Sequence, residues 1–259
     1  TGNPATSPTV AISLLPLPIV QFTPCFDVVT TVDAQPFRLR GGLPLNGTYN
    51  GAGVDPVTGF FDPALAGTGT KTIEYTATNA NQCSDVASAT ITVQPSQSFI
   101  CGNPFTDIRD GKSYATVQIG TQCWMRVNLD YGAAIDPMDN QTDNCLAEKY
   151  ILYSNIDNQY STFYQWNELM AHDPSPGSQG LCPPSWHIPV ASEWETLVDY
   201  SNGPGRAGPI LRDKLLETGF YSIQKGLLYL NRVWAFTTGT AAATMYWTST
   251  ESDTERALA

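Results

Sequence analysis

The sequence predicts two units: an all-β sandwich over residues 10–95 and an α+β domain over 99–259, with linkers at 1–9 and 96–98. Three observations predict them. "TKTIEYTATN" (70–79) and "SATITV" (88–93) alternate with the period of two that half-buried strands require. "GGLPLNGTYNGAGVDPVTGFFDPALAGTGT" (41–70) is dense in Gly and Pro, as short strands joined by tight turns are. Beyond Phe99, apolar residues also recur at spacings of three and four, which marks helices.

In the first unit Ile73, Tyr75 and Ala77 face one way and Thr72, Glu74 and Thr76 the other. "NANQC" (79–83) is the Asn-rich turn that follows, and nothing before residue 97 carries a helical pattern. Several short strands at this spacing argue a sandwich. "TVQPSQSF" (92–99) leads into the second unit. There, "DGKSYATVQIGTQCWMRVNLDY" (110–131) reads as a hairpin. Tyr114, Thr116 and Gln118 alternate with Ala115, Val117 and Ile119, Gly120-Thr121 breaks the run, and a second strand carries Cys123 and Trp124. Three helices are expected. The first spans 160–172, with Phe163, Trp166, Leu169 and Met170 on one side. The second spans 192–200, with Trp194, Leu197 and Val198, and the third 207–219, with Leu211, Leu215 and Leu216 inward and Gly219 as its cap. Strands return in "LLYLNRVWAFTT" (227–238) and "TMYWTST" (244–250).

Charged residues make up only 14% of the chain, against about 25% in globular proteins at large. Thr, Ser, Asn, Gly and Pro take their place, as in extracellular β-rich proteins. The net charge is −11 and the pI about 4.4. Nucleic acids and anionic membranes are bound through clustered Lys and Arg, which this chain lacks, so both are excluded as partners. No apolar run approaches the roughly 18 residues of a membrane helix; "VAISLLPLPIV" (10–20) is short and carries Pro16 and Pro18. The start shows no secretory signal, and both ends read as cut, so the sequence is expected to be part of a longer secreted or surface protein. Six cysteines in such a chain read as disulfides, for which about 15 connectivities exist. No C-x-x-C pair occurs, which speaks against zinc.

The densest chemistry lies in "CPPSWHIPVASEWETLVDY" (182–200), where Cys182, His187, Glu193 and Glu195 invite a catalytic reading. A Cys–His nucleophile needs a free thiolate with an imidazole in reach. Cys182 precedes Pro183-Pro184 among cysteines read as oxidised, and is expected to be paired. His187, between Trp186 and Ile188, reads as a buried hydrogen-bonding residue. Glu193 and Glu195 fall on different helix faces, and Glu193 suits the positive end of the helix dipole. The stretch is therefore read as architecture, with no catalytic residues.

Asp136, Asp139 and Asp143, with Asn140 and Asn144, are hard oxygen ligands that would suit calcium, but the Gly and closing Glu of an EF-hand are absent. A solvated acidic loop is expected, with calcium the one cofactor it would suit. The sequons at Asn46 and Asn140 are assigned no role. Tyr229, Trp234, Tyr246 and Trp247 crowd the last quarter, and Trp247 is expected in the core. Gly226, Gly239 and "TAAAT" (240–244) mark loops, where recognition residues concentrate. Alternation puts Arg232 beside Trp234, a cation next to an aromatic face that suits acidic or sugar ligands, and puts Tyr229 on the other side. The ligand face is thus expected at 226–247 with the 132–147 loop, through Arg232, Trp234 and, to a lesser degree, Tyr246.

The stretch 39–93, "LRGGLPLNGTYNGAGVDPVTGFFDPALAGTGTKTIEYTATNANQCSDVASATITV", resembles the immunoglobulin-like repeats of large bacterial surface proteins, especially of Bacteroidota. That resemblance implies a Cys25–Cys83 disulfide and a spacer role. "TDIRDGKSYATVQIGTQCWMRVNL", "LYSNIDNQYSTFYQWNELM", "CPPSWHIPVASEWETLV" and "YWTSTE" resemble, in order, the Fibrobacter succinogenes major paralogous domain of exported bacterial proteins. This family looks related to C-type-lectin-like folds and to formylglycine-generating enzymes, so the resemblance implies a C-type-lectin-like α+β fold. Those enzymes act through paired redox cysteines late in the domain, and no cysteine follows Cys182. The "E-P-N" and "W-N-D" calcium motifs of sugar-binding C-type lectins do not occur. Val190 stands where the family has a helix-capping Ser or Thr, so Ser192 is expected to cap; the family's last strands after "YWTSTE" are missing. Cys101–Cys123 and Cys145–Cys182 are the expected bonds of this unit, with a cysteine beyond Ala259 as the alternative partner of Cys182. The function expected is a non-catalytic extracellular adhesin or recognition module for a glycan or protein ligand. A structural filament or matrix component is the alternative, and an enzyme the remaining one.

Overall fold

The computed structural model describes residues 14–154, 159–212, 227–229, 232–234, 246–253 and 256–257. The described chain is mostly β-strand with a few short helices. Its most regular piece is the hairpin Gly69–Thr78/Ser84–Gln94, in register from Gly69↔Val93 to Thr78↔Ser84. Period-two alternation sends Ile73, Tyr75, Ala77, Ile91 and Val93 to one buried face. The turn between the strands is organised by Asn79, whose Oδ1 accepts the N–H groups of Asn81 and Cys83. Thr48–Gly51 adds to one edge antiparallel and Val29–Thr31 to the other in parallel, completing a four-stranded sheet.

Two short ladders, Gln21–Phe22 with Gly42–Leu43 and Phe37–Arg38 with Phe60–Phe61, bring aromatic residues onto this sheet. Leu39 and Phe61 close a core with Ile73, Ile91 and Val93, and Phe22, Phe37 and Tyr49 pack against it. Tyr75 needs glycine beside it: a Cβ on Gly42 would lie 2.5 Å from its ring. A four-residue helix, Pro63–Ala66, interrupts the strands where none was expected. Its signal is Asp62-Pro63: the Asp62 carboxylate accepts the N–H groups of Ala64 and Leu65, and Pro63 takes the first position, where no N–H is needed.

In the second half Thr116–Ile119 and Gln122–Met125 form the expected hairpin over Gly120-Thr121. Residues 160–172 differ from expectation. Gln159–Phe163 is a strand paired with Glu148–Ser154, whose other edge takes Ala133–Ile135 in parallel. Only Trp166–Leu169 is helical, and positive φ at Ala171 and His172 ends it. Tyr160, Thr162 and Phe163 favour strands, and a waiting partner edge outweighs a helical spacing of apolar residues. The helix Ala191–Tyr200 forms as expected. Another spans Pro204–Arg212; the rest of the expected 207–219 helix lies outside the described residues.

Leu227–Tyr229 and Arg232–Trp234 pair as a hairpin that sets Tyr229 opposite Arg232. Alternation therefore cannot be counted through from 229 to 234, and the expected placement of Tyr229 away from that pair is withdrawn. Residues 246–250 are not a strand; the strand comes after them, at Glu251–Asp253. Two apolar clusters fill this half: Tyr164, Leu169, Met170, Leu181, Cys182 and Ile188, and, beside them, Ile119, Trp124 and Leu197. No described helix is long and apolar enough to cross a membrane.

Two disulfides are present, Cys25–Cys145 and Cys101–Cys123. Cys83 and Cys182 are free, so the expected Cys25–Cys83 and Cys145–Cys182 bonds are not formed. The reason is placement. Cys25 lies against Arg40, whose guanidinium holds Asp143 two residues before Cys145. Cys83 sits at the turn end of the long hairpin, and Cys182 is buried in the second-half core. A non-reduced digest should yield linked peptides for 25–145 and 101–123. In the native protein Cys83 should react with a thiol reagent and Cys182 only after unfolding; a linked 25–83 peptide would contradict this arrangement.

Candidate functional site

Of the four residues that invited a catalytic reading, His187 and Glu193 come together. Cys182 is buried, and burial pushes its thiol up to about 12, so no thiolate forms near neutral pH. His187 is not buried as expected; its side chain is 37% exposed, and Nε2 lies 3.0 Å from both carboxylate oxygens of Glu193. Glu193 also accepts the Val190 N–H at 2.9 Å, and Glu195 faces solvent. Ser192 does not cap the helix. The cap comes from far along the chain, where the Thr250 hydroxyl accepts the Ala191 N–H at 3.0 Å.

Residues 247–250 form a strap of hydrogen bonds, which is why they are not a strand. The Ser249 N–H and the Thr248 and Ser249 hydroxyls all donate to the Pro189 carbonyl. Trp166 donates its indole N–H to the Thr248 carbonyl, and Trp247 donates its own to the Tyr164 carbonyl at 2.9 Å.

Two charge clusters that the sequence reading missed lie where the halves meet. In the first, the Arg109 side chain is 3% exposed and that of Asp107 fully buried. Arg109 donates to Asp107, to Asp27 at 2.7 Å and to the Leu181 carbonyl at 2.9 Å, with its guanidinium 3.7 Å from the Tyr131 ring centre. Tyr131 donates its hydroxyl to the other Asp27 oxygen at 2.6 Å. Burial works against the charge of Arg109, but the two aspartates outweigh it and hold the guanidinium protonated. Burial and the Asp27 charge both raise the Tyr131 phenol, which therefore stays a donor.

The second cluster centres on Glu168. It is buried, and its Oε1 accepts the Glu148 N–H at 2.7 Å. Its Oε2 lies 3.4 Å from His172 Nε2, four residues on, and that nitrogen is 3.9 Å from Asp143. Asp143 is gripped by Arg40 through both oxygens, at 2.7 and 2.8 Å. Burial, helped by nearby Glu148, raises the Glu168 carboxyl against the opposing pull of the backbone N–H and His172. "ELMAH", with Glu and His four apart, was the available signal.

The expected calcium ligands are spent separately. Asp136 accepts the Met138 N–H, the Asp139 carbonyl takes the Tyr150 hydroxyl, and Asp143 holds Arg40. Among the described residues no three His, Cys, Asp or Glu gather as a metal site. Of the expected ligand contacts, Arg232 and Trp234 lie on the hairpin, their side chains outside the described residues. Tyr246 is partly buried and stacks on Trp194, with ring centres 5.3 Å apart, above Ile119, Trp124 and Leu197. Of the three expected contacts, the one described at side-chain level, Tyr246, is thus engaged in packing, while most of the 132–147 loop is exposed.

A raised carboxyl in the folded state costs stability once it ionises. Glu168 therefore withdraws stability as pH rises from the ordinary carboxyl value through its raised folded value. Glu168→Gln keeps an acceptor for the Glu148 N–H and removes the titration. Relative to wild type, its Tm should improve between pH 4 and pH 7.5; a constant gap across that range would show that Glu168 is not strained by ionisation.

No curated protein and no solved structure matches the chain. The Fibrobacter succinogenes major domain family matches residues 117–259. That span takes in all of the 116–125 hairpin but Thr116, the central sheet, the His187–Glu193 pair and the strap that caps its helix, and over more than half of its length the chain belongs to the Fibrobacter succinogenes major domain family.

Proposed function

We propose that this chain is a non-catalytic extracellular recognition module, an adhesin-type surface protein. In this reading an immunoglobulin-like sandwich at 10–95 is the mount and a C-type-lectin-like domain at 99–259 the part presented to a glycan or protein ligand. The observation that carries it is the Cys25–Cys145 disulfide, which ties the first half to the 132–147 loop of the second across 120 residues of sequence. A covalent tie between a mount and the loop beside a ligand face fixes how that face is presented, and rigid presentation lowers the entropy lost on binding. Disulfides, a low charge content and the absence of a long apolar helix among the described residues are compatible with a protein outside the cell.

The ligand face is placed on the 226–247 hairpin region, through Arg232 and Trp234. Tyr246 remains the lesser contact, since it stacks on Trp194. Binding screens of the folded protein on glycan arrays and against extracellular matrix proteins should return a ligand. Trp234→Ala should then abolish binding with the Tm nearly unchanged. No binding in either screen would favour a structural filament or matrix role, and a large loss of Tm in Trp234→Ala would move the face elsewhere.

A further inference from the structure

The Asp27 carboxylate is held in a built receptor. Arg109 takes one oxygen at 2.7 Å and the Tyr131 hydroxyl the other at 2.6 Å. The rest of the receptor is held in place by contacts other than Asp27. Arg109 is oriented by Asp107, fully buried, and by the Leu181 carbonyl, and is stacked on the Tyr131 ring. All of these groups belong to the second half of the chain. Asp27 alone comes from the first, and its side chain is still 26% exposed, as expected of a group inserted into a socket from one side. Three more contacts join the same two pieces. Cys25 is bonded to Cys145, Arg40 grips Asp143, and the Thr31 and Ser185 hydroxyls lie 3.2 Å apart.

We infer that Arg109 and Tyr131 form a carboxylate-binding socket by which the second half docks the β-unit that precedes it in the chain, and that Cys25–Cys145 is a latch closing over this contact. Independently of what the protein binds, the two halves then move as one body, because the socket and the latch hold them together in addition to the 95–98 connection. Asp27 matters most among the contacts. It meets a cation that is 3% exposed, whereas the Arg40–Asp143 pair, with side chains 24% and 52% exposed, sits in solvent where ion pairs contribute little.

The test uses the full chain with a protease site replacing residues 95–98 and with Cys25→Ser and Cys145→Ser, folded and then cut. The cut halves should stay associated on size exclusion. Asp27→Asn in this background should weaken their association at least tenfold, Tyr131→Phe should weaken it less, and Arg40→Gln should change it only a few-fold. The thermal melt of each uncut variant with the disulfide intact reports whether it folds, and Tyr131→Phe, which removes one hydroxyl, serves if Asp27→Asn does not. Halves that separate even with Asp27 present, or an Asp27→Asn effect no larger than that of Arg40→Gln, would overturn the socket.

Discussion

A guanidinium with 3% of its side chain exposed keeps its charge only if the surrounding protein replaces the water it has lost, and Arg109 sets this condition for the whole junction. Asp107 supplies most of the replacement, with hydrogen bonds to Nε and Nη2. Tyr131 supplies an aromatic face and Asp27 the second carboxylate. Removing one partner of such a buried group costs about 3–5 kcal/mol, because the remaining charge is stranded. The first half of the chain thus enters the electrostatic balance of the second, and a division of the molecule at residues 95–98 cuts the backbone but not the cluster.

The second half depends on a comparable long-range debt of hydrogen bonds. The helix Ala191–Tyr200 starts at Val190, which has no side-chain acceptor, so the first N–H groups turn to Glu193 and to Thr250. Loss of a helix cap costs about 1 kcal/mol, and here the cap lies some sixty residues away in sequence. The strap that delivers Thr250 is held by Pro189, Trp166 and Tyr164. His187 shares Glu193 with the same helix start, so one carboxylate serves both the histidine and the cap.

Glu168 shows the opposite use of a buried charge. Its carboxylate organises the Glu148 N–H and meets His172, next to the Arg40–Asp143 pair and the Cys25–Cys145 bond. The first half therefore touches two buried or half-buried charge clusters of the second, one through Asp27 and one through Arg40. Both contacts come from the segment 25–40, which in the sequence looks like an undistinguished run before the glycine-rich turns.

Periodicity alone determined the long hairpin at 69–94, the 116–125 hairpin and the Ala191–Tyr200 helix, because each is decided by local alternation or spacing and then buried along that same face. The family was legible too, in motifs spread over the second half. Local pattern failed at 159–163, where the spacing of Phe163, Trp166 and Met170 suits a helix but the open edge of Glu148–Ser154 recruits a strand. It failed at Tyr229, which pairs opposite Arg232 on an antiparallel strand, and at 246–250, whose hydrogen bonds go to distant residues. Cys101–Cys123 was legible as well, but the Cys25–Cys145 bond, the Arg109 socket and the Glu148 contact of Glu168 could not be read from the sequence. Each joins residues 20 to 120 positions apart, and only the packing of one half against the other decides which thiol, carboxylate or hydroxyl comes within reach.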